Sequence, residues 1–528
     1  MRSFSHPGRS TVYASNAMCA TSHPLASQAA VDIMKEGGNA VDAAIAASAV
    51  LAVVEPHMTG IGGDCFALFW KPGAKVMGLS GMGRAAAAAT PEWYAEKNMV
   101  TVEPTSAHAV TVPGAIDGWC RLVEDHGSLP MSRIMETAII LANEGFPVSP
   151  RTAHDWVDYE YKLGLYESTR ACYLKDGKAP KVGDVMRFPE LGKSLSMIAE
   201  GGRDAFYTGE LASDMVDTLQ ALGGLQTMED FAQQSSTYVT PITAGFKGMD
   251  IYEMPPSNHG MTAIMMLKML ERIDDRGSEA VSAKRYHVMM EAARMAYGAR
   301  DEYLADPDFM DIPIEHLISD AVADELARRI DPDRRTPDLG NFPQPASNDT
   351  VYLTVVDKNG MVVSFINSIY HSFGSGITAP KSGILLHSRG YGFRFMPGHV
   401  NSIAPRKRPM HTLIPGMALK DGVPVASFGV MGADFQPTGH VHVLTNMYDY
   451  GMDPQEALDS PRVFFEGETL AIEQGVPENV VKDLISMGHE VKIVPEPWGG
   501  GQIITIDRKR NILIGGSDPR KDGVALGY

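Results

Sequence analysis

The sequence predicts a layered α/β protein whose sheets draw on both parts of the chain. Helix-period apolar patterns dominate most of the first 304 residues. A stretch rich in Pro, Asp, Arg and Asn then interrupts them between Asp331 and Ser347. Beyond it the pattern changes to short strands, and a helix-rich part joined to a strand-rich part requires sheets packed under helices.

The elements follow in order. After Ser22-His23-Pro24, the residues Ala26, Ala29, Ala30, Ile33 and Met34 recur at helical spacing until Gly37-Gly38 ends the run. Asn39 caps a second helix, Ala40 to Val54, which is apolar nearly all round and so belongs inside. The Gly-rich turn from Glu55 to Asp64 feeds a strand, Cys65 to Trp70. Gly62-Gly63 suits a phosphate cradle, but no dinucleotide or P-loop glycine motif surrounds it, so no nucleotide site is expected. Residues 110 to 235 read as mostly helical, broken at Pro113-Gly114, Pro147 to Pro150 and Gly201-Gly202. A strand from Met249 to Met254 ends in Pro255-Pro256-Ser257-Asn258-His259-Gly260, and helices from Met261 to Arg272 and Ser282 to Leu304 follow. After the linker, Val351–Asp357 and Met361–Ser368 form a hairpin about Lys358-Asn359-Gly360. Further strands are expected at Gly383–Leu386, Met417–Leu419, Val425–Phe428, Glu490–Val494, Gln502–Ile506 and Ile512–Gly515. Helices His440 to Tyr450 and Pro477 to Met487 separate them.

Composition narrows the function classes. A formal charge of −18 argues against a nucleic-acid groove or an anionic membrane surface as partner. Cys19, Cys65, Cys120 and Cys172 form no CxxC pair, which argues against a zinc ribbon and a disulfide framework. All four precede Thr350, so no disulfide can tie the two sides of that residue together. Residues Met1 to Ser22 lack an apolar core of signal-peptide length, and the run from Ala40 to Val54 is too short for a membrane span. A cytoplasmic protein is the expectation. His440 and His442 sit two apart in a helix and face different ways, HExxH is absent, and no metal or other cofactor is expected. Asp301, Glu302, Asp306 and Asp308 alternate with Arg300 as in an ion-paired helix end.

Thr350 is the candidate for chemistry. It heads the first strand after the linker and follows Ser347-Asn348-Asp349. A threonine hydroxyl needs a base to become a nucleophile. Cutting the chain before Thr350 would place an α-amine, with a pKa of about 7.7–8.0, beside it. Gly432-Ala433-Asp434 forms a turn after a strand, where backbone N–H groups converge as an oxyanion site requires.

Together these segments resemble the γ-glutamyltransferases, or glutathione hydrolases, of the N-terminal-nucleophile hydrolase superfamily. The resemblance is carried by Gly37-Gly38-Asn39-Ala40-Val41-Asp42-Ala43-Ala44, Pro56 to Asp64, Val112-Pro113-Gly114-Ala115 and Ala299 to Phe309. Thr350 to Gly360, Phe373-Gly374-Ser375-Gly376-Ile377, Ser382 to Leu386 and Gly516-Ser517-Asp518-Pro519-Arg520 extend it. It implies a four-layer αββα sandwich made as a proenzyme and cut between Asp349 and Thr350. The products would be a large piece, 1–349, and a small one, 350–528, which stay associated and allow a homo-oligomer of such heterodimers. It further implies that Thr350 is the nucleophile, Ser368 its hydroxyl partner, and Gly432 and Ala433 the oxyanion site, acting on a small-molecule amide. The departures lie in substrate recognition. Tyr370 stands where the well-known members carry Asn, Gly392 where an acidic residue grips the α-ammonium, and His411-Thr412 where Ser-Ser holds the carboxylate. Met82 occupies the position of their carboxylate-binding Arg, leaving Arg84, two residues on, to take that part. The segment from Phe395 to Pro409 is short, so the lid is missing, as in the branch that includes oxamate amidohydrolases and cephalosporin-acylase-like members. Hydrolysis is favoured over transfer to amines. The leading reading is an autoprocessing amidohydrolase acting on a γ-glutamyl or similar carboxylate-bearing amide; the alternatives are an oxamate-type or acyl-side-chain amidohydrolase without γ-glutamyl specificity and, from another class, an inactive binding protein on the same fold.

Overall fold

The computed structural model describes residues 8–274, 276–337, 350–395 and 397–528. Two sheets of seven strands each carry the molecule, and every pairing within them is antiparallel. In chain order the strands are β1 (Val12–Ala14), β2 (Met18–Thr21), β3 (Asp64–Trp70), β4 (Met77–Gly81), β5 (Thr237–Val239), β6 (Ile242–Phe246) and β7 (Met249–Glu253). They continue as β8 (Val351–Val356), β9 (Val362–Ser368), β10 (Gly416–Lys420), β11 (Val423–Met431), β12 (Gly500–Asp507), β13 (Ile512–Ser517) and β14 (Val524–Gly527). One sheet runs β1-β13-β12-β11-β10-β7-β6, and the other runs β14-β2-β8-β9-β3-β4-β5. Both sheets therefore mix strands from before and after Thr350.

The sheets pack face to face, with β8 against β11 and β12 and with β2 against β13. On the outer face of the β8–β9 sheet lie α1 (Pro24–Lys35), α2 (Ala40–Val54) and α3 (Ala115–His126). On the outer face of the other lie α4 (Gly260–Glu271) and α5 (Gln436–Tyr448). The result is the expected four-layer αββα sandwich. Every residue of α2 is buried, because the helix is covered by α1, the helix Met131–Glu144 and the sheet beneath. Its start is fixed by a capping box between Asn39 and Asp42, and Asp42 also accepts from the Ser128 N–H. No helix among the described residues is long and apolar enough to cross a membrane.

The sequence reading and the structure differ at the edges. The strands Val12–Ala14, Met18–Thr21 and Val524–Gly527 went unread, being three or four residues long and, for β2, buried throughout without alternation. The expected strand Gly383–Leu386 shrinks to Leu385–Leu386, because Gly383 has φ +67° and turns the chain. The first part of the linker is well anchored. Arg335 N donates to Met487 O, Thr336 N donates to Glu291, and Arg294 donates to Thr336 O. Residues 338–349, including Asp349 and the cut expected beside it, lie outside the described residues.

The Gly516–Arg520 motif has a structural account. The Asp518 carboxylate pairs with Arg462 and Arg520 and accepts from Gly501 N, which pins the end of β13 to β12. Burial alone would raise its pKa, but Arg462, Arg520 and the backbone donors bring it down to about 2. The contribution is present above the unfolded value of about 3.9 and is lost as pH falls through about 2. Asp518→Ala leaves Arg462 buried without its carboxylate. Urea unfolding at neutral pH should show a loss of about 3–5 kcal/mol, and the gap between variant and wild type should narrow below about pH 4.

Candidate active site

Thr350 sits immediately before β8, and the hairpin register sets its surroundings. Val351 pairs with Asn367, so Thr350 falls beside Ser368 at the end of β9. Thr350 is 1% exposed, and its Oγ1 donates to Ser368 Oγ over 3.1 Å. Ser368 Oγ also accepts from Tyr370 N at 2.9 Å. Asn367, one residue back, donates to Thr59 Oγ1 and Gly60 O and so ties the Gly-rich turn to the strand end. Gly63 shows why that turn needs glycine: a Cβ there would lie 2.2 Å from Ser368 O.

Asp64 stands opposite Ser368 across β3 and β9. Its Oδ1 accepts from Gly83 N and Gly114 N, each at 3.1 Å, and its Oδ2 faces His411 Nε2 at 3.2 Å and His387 Nδ1 at 3.4 Å. All three side chains are fully buried. Burial and the nearby Arg389 push His411 down to about 3, so it is neutral at neutral pH. Leu413 N donates to His411 Nδ1, which leaves the proton on Nε2, directed at Asp64. Against its burial, His387 and His411 hold the Asp64 carboxyl well below the usual carboxylate range.

The Gly432-Ala433 turn lies between β11 and α5. Gly432 has φ +123° and Ala433 φ +46°, a left-handed pair that turns the chain from β11 into α5. The next residue, Asp434, is held by Arg300, which also binds Asp301, while the Tyr297 hydroxyl donates to Asp434 O. The Ala299–Phe309 motif thus braces this turn, and Asp301 is an ion-paired residue as read. A cavity of about 750 Å³ opens beside these groups, lined among others by Tyr370, Gly392, Arg394, Met410, Arg300 and Asp434.

The expected substrate residues divide. Tyr370 and Gly392 line that cavity. His411 does not: it is 0% exposed, both its ring nitrogens are occupied, and its ring packs on Phe66, so the structure places it as a support for Asp64. Thr412 is buried, and its Oγ1 accepts from Arg389 at 3.2 Å. Arg84 donates to Arg406 O and lines a separate cavity of about 230 Å³ with Asp230 and Gln234. Sequence reasoning missed Arg389, a fully buried guanidinium in the Ser388-Arg389-Gly390 turn with no flanking motif to mark it. His440 pairs with Glu253 and His442 with Asn446, consistent with their different helix faces. Among the described residues, His287, Glu291 and His489 have a spacing that could hold a metal ion. There His287 Nδ1 lies 2.8 Å from His489 Nε2, while Glu291 is taken by Arg294 and Thr336 N, so protein contacts use this set.

Two facing antiparallel sheets between helices, with a threonine heading an inner strand against a serine hydroxyl, define an N-terminal-nucleophile hydrolase fold. The chain belongs to the gamma-glutamyltranspeptidase family, whose model matches residues 26–528. It is 37% identical to the glutathione hydrolase-like YwrD proenzyme of Bacillus subtilis, over 98% of this chain and 99% of that one. It is 33% identical to the oxamate amidohydrolase proenzyme of Klebsiella pneumoniae, over 97% of this chain and 98% of the relative. The crystal structure of a cephalosporin acylase from Bacillus halodurans superposes with a TM-score of 0.93 at 36% identity, covering 100% of this chain and 99% of that chain.

Asp64→Ala would strand the Gly83 and Gly114 N–H groups and the His411 proton in the core. Thermal or urea unfolding should show a loss of roughly 3–5 kcal/mol, whereas a surface change such as Glu96→Ala should stay within about 0.5 kcal/mol.

Proposed function

We propose that the chain is an autoprocessing amidohydrolase in which Thr350 is first the agent of cleavage and then the nucleophile. The observation that carries this reading is the buried Thr350 Oγ1 at 3.1 Å from Ser368 Oγ, at the end of the linker. In the maturation step Thr350 Oγ attacks the Asp349 carbonyl and the peptide nitrogen leaves, giving an ester. Water hydrolyses the ester to a carboxylate on Asp349 and a free α-amine on Thr350. The described pieces, up to residue 337 and from 350 onward, interleave in both sheets, which supports an assembled pair of products without a disulfide.

In turnover, Thr350 Oγ attacks the substrate carbonyl and its proton passes to the Thr350 α-amine, which passes it to the leaving amine. Ser368 orients the hydroxyl. The N–H groups of Gly432 and Ala433 receive the oxyanion, and alanine serves because the donors are backbone groups. Water then cleaves the acyl-enzyme. The relatives described above as a glutathione hydrolase-like proenzyme, an oxamate amidohydrolase and a cephalosporin acylase all fit hydrolysis of an amide. The short 395–409 segment, with Arg394 exposed at the cavity, favours water over an amine as acceptor.

Intact-mass measurement of the purified protein tests this. Two species are expected, the smaller beginning at Thr350, and Thr350→Ala should remain one chain without amidase activity. Ser368→Ala should slow both cleavage and turnover by about 100-fold through loss of positioning. A wild-type protein that is fully active as a single chain sinks the proposal.

A further inference from the structure

The residue that follows the Gly432-Ala433 turn is an acid. Asp434 is 5% exposed, lines the 750 Å³ cavity and stands two residues before α5 begins at Gln436. Phe435 N donates to Gly432 O and Gln436 N to Ala433 O. The N–H groups of Ala433 and Asp434 are left without an acceptor among the described residues. Free N–H groups at a helix start, with the positive end of the helix dipole behind them, suit a developing oxyanion. A buried carboxylate beside them competes for the same field. The Asp434 charge does reach the site: burial first, and then Asp434, push the Tyr370 hydroxyl up to about 12, against Arg389 and Arg300.

Arg300 cancels that charge. It lies in the last turn of the helix Ala283–Tyr303 and is 2% exposed. Its Nη1 pairs with Asp434 Oδ1, while Nε and Nη2 bind Asp301 Oδ1 at 2.8 and 2.6 Å. Burial opposes the guanidinium charge, and Asp434 and Asp301 more than restore it. The Asp301 side chain is a quarter exposed and has water to solvate it. Asp434 is buried and has no ion-pair partner besides Arg300 among the described residues. The guanidinium also lies 4.7 Å from the centre of the Tyr297 ring, whose hydroxyl donates to Asp434 O. One stretch of helix thus holds both the side chain and the backbone of Asp434.

Resting on the amidase reading above and its oxyanion turn, we propose that Arg300 is the counter-charge that lets this turn stabilise an oxyanion. By neutralising Asp434 it leaves the Ala433 N–H and the start of α5 without a competing anion. The pair is structural, and its consequence is catalytic. Arg300 acts through Asp434 and not on the reacting atoms, so its loss should fall on kcat and spare KM.

The experiment uses the processed enzyme with γ-glutamyl, glutaryl and butyryl p-nitroanilides, and each variant is compared on the one that wild type cleaves fastest. Rates are expressed per exposed Thr350 α-amine, counted by mass as the small piece, so that losses in folding or processing do not enter. Arg300→Gln should lower kcat about 100-fold and leave KM within about threefold of wild type. Adding Asp434→Asn to Arg300→Gln removes the stranded charge and should raise kcat at least about tenfold above Arg300→Gln alone. Arg300→Lys, which keeps the charge, should lose less than about tenfold. A kcat that survives in Arg300→Gln, a loss confined to KM, or a double variant no faster than Arg300→Gln would each overturn the assignment. Should Arg300→Gln not process, the double variant and Arg300→Lys decide the matter. Each should keep kcat within about tenfold of wild type, and a loss of about 100-fold in either overturns it. A wild type that exposes Thr350 yet cleaves none of the anilides counts instead against the amidase reading, and this inference falls with it.

Discussion

The antiparallel register of β8 on β9 is the constraint on which the site depends. Val351 opposite Asn367 brings Thr350 to Ser368, and Ser368 opposite Asp64 brings in the third strand. A slip of one residue would turn every side chain of β8 to the other face of the sheet. The slip is resisted because both faces are buried, one under α2 and the other against β11 and β12. The position of Thr350 is thus a by-product of filling two cores at once.

Around that register the protein buries charge in matched sets. Asp64 is matched by two histidines and two backbone donors, Asp434 by Arg300, and Asp518 by Arg462 and Arg520. Each set fixes backbone at the sheet ends: the turns holding Gly83 and Gly114, the Gly432-Ala433 turn, and the end of β13 against the start of β12. Where the accounting is complete, the group is structural. Arg389 departs from this pattern: it has no carboxylate partner among the described residues and is held by Thr412 and the face of Tyr370 instead.

Much of this was legible in the sequence. Asn39 announced α2, the Lys358-Asn359-Gly360 turn announced the β8–β9 hairpin, and the linker pointed to Thr350, because caps, turns and breakers act through neighbouring residues. The αββα architecture came from the resemblance, since periodicity does not say which strands pair. The short strands β1, β2 and β14 stayed hidden because tertiary contacts, not local pattern, make them strands. The surroundings of Arg389 and His411 were not legible for a related reason. An arginine in a turn and a histidine beside a threonine look alike whether they face a cavity or a carboxylate, and only packing separates them. Arg84 was favoured by its nearness along the chain to an aligned position, which is no measure of where its guanidinium ends.

The alternation of strands from before and after Thr350 within each sheet has a thermodynamic corollary. In β14-β2-β8-β9-β3-β4-β5, the pair β8–β9 is flanked on both sides by strands from the other part of the chain. Two polypeptides joined in this way cannot come apart as folded bodies, so dissociation and unfolding become one event. An uncut chain unfolds with a midpoint independent of its concentration. Once cut, the same fold obeys mass action, and its apparent stability rises with the logarithm of protein concentration.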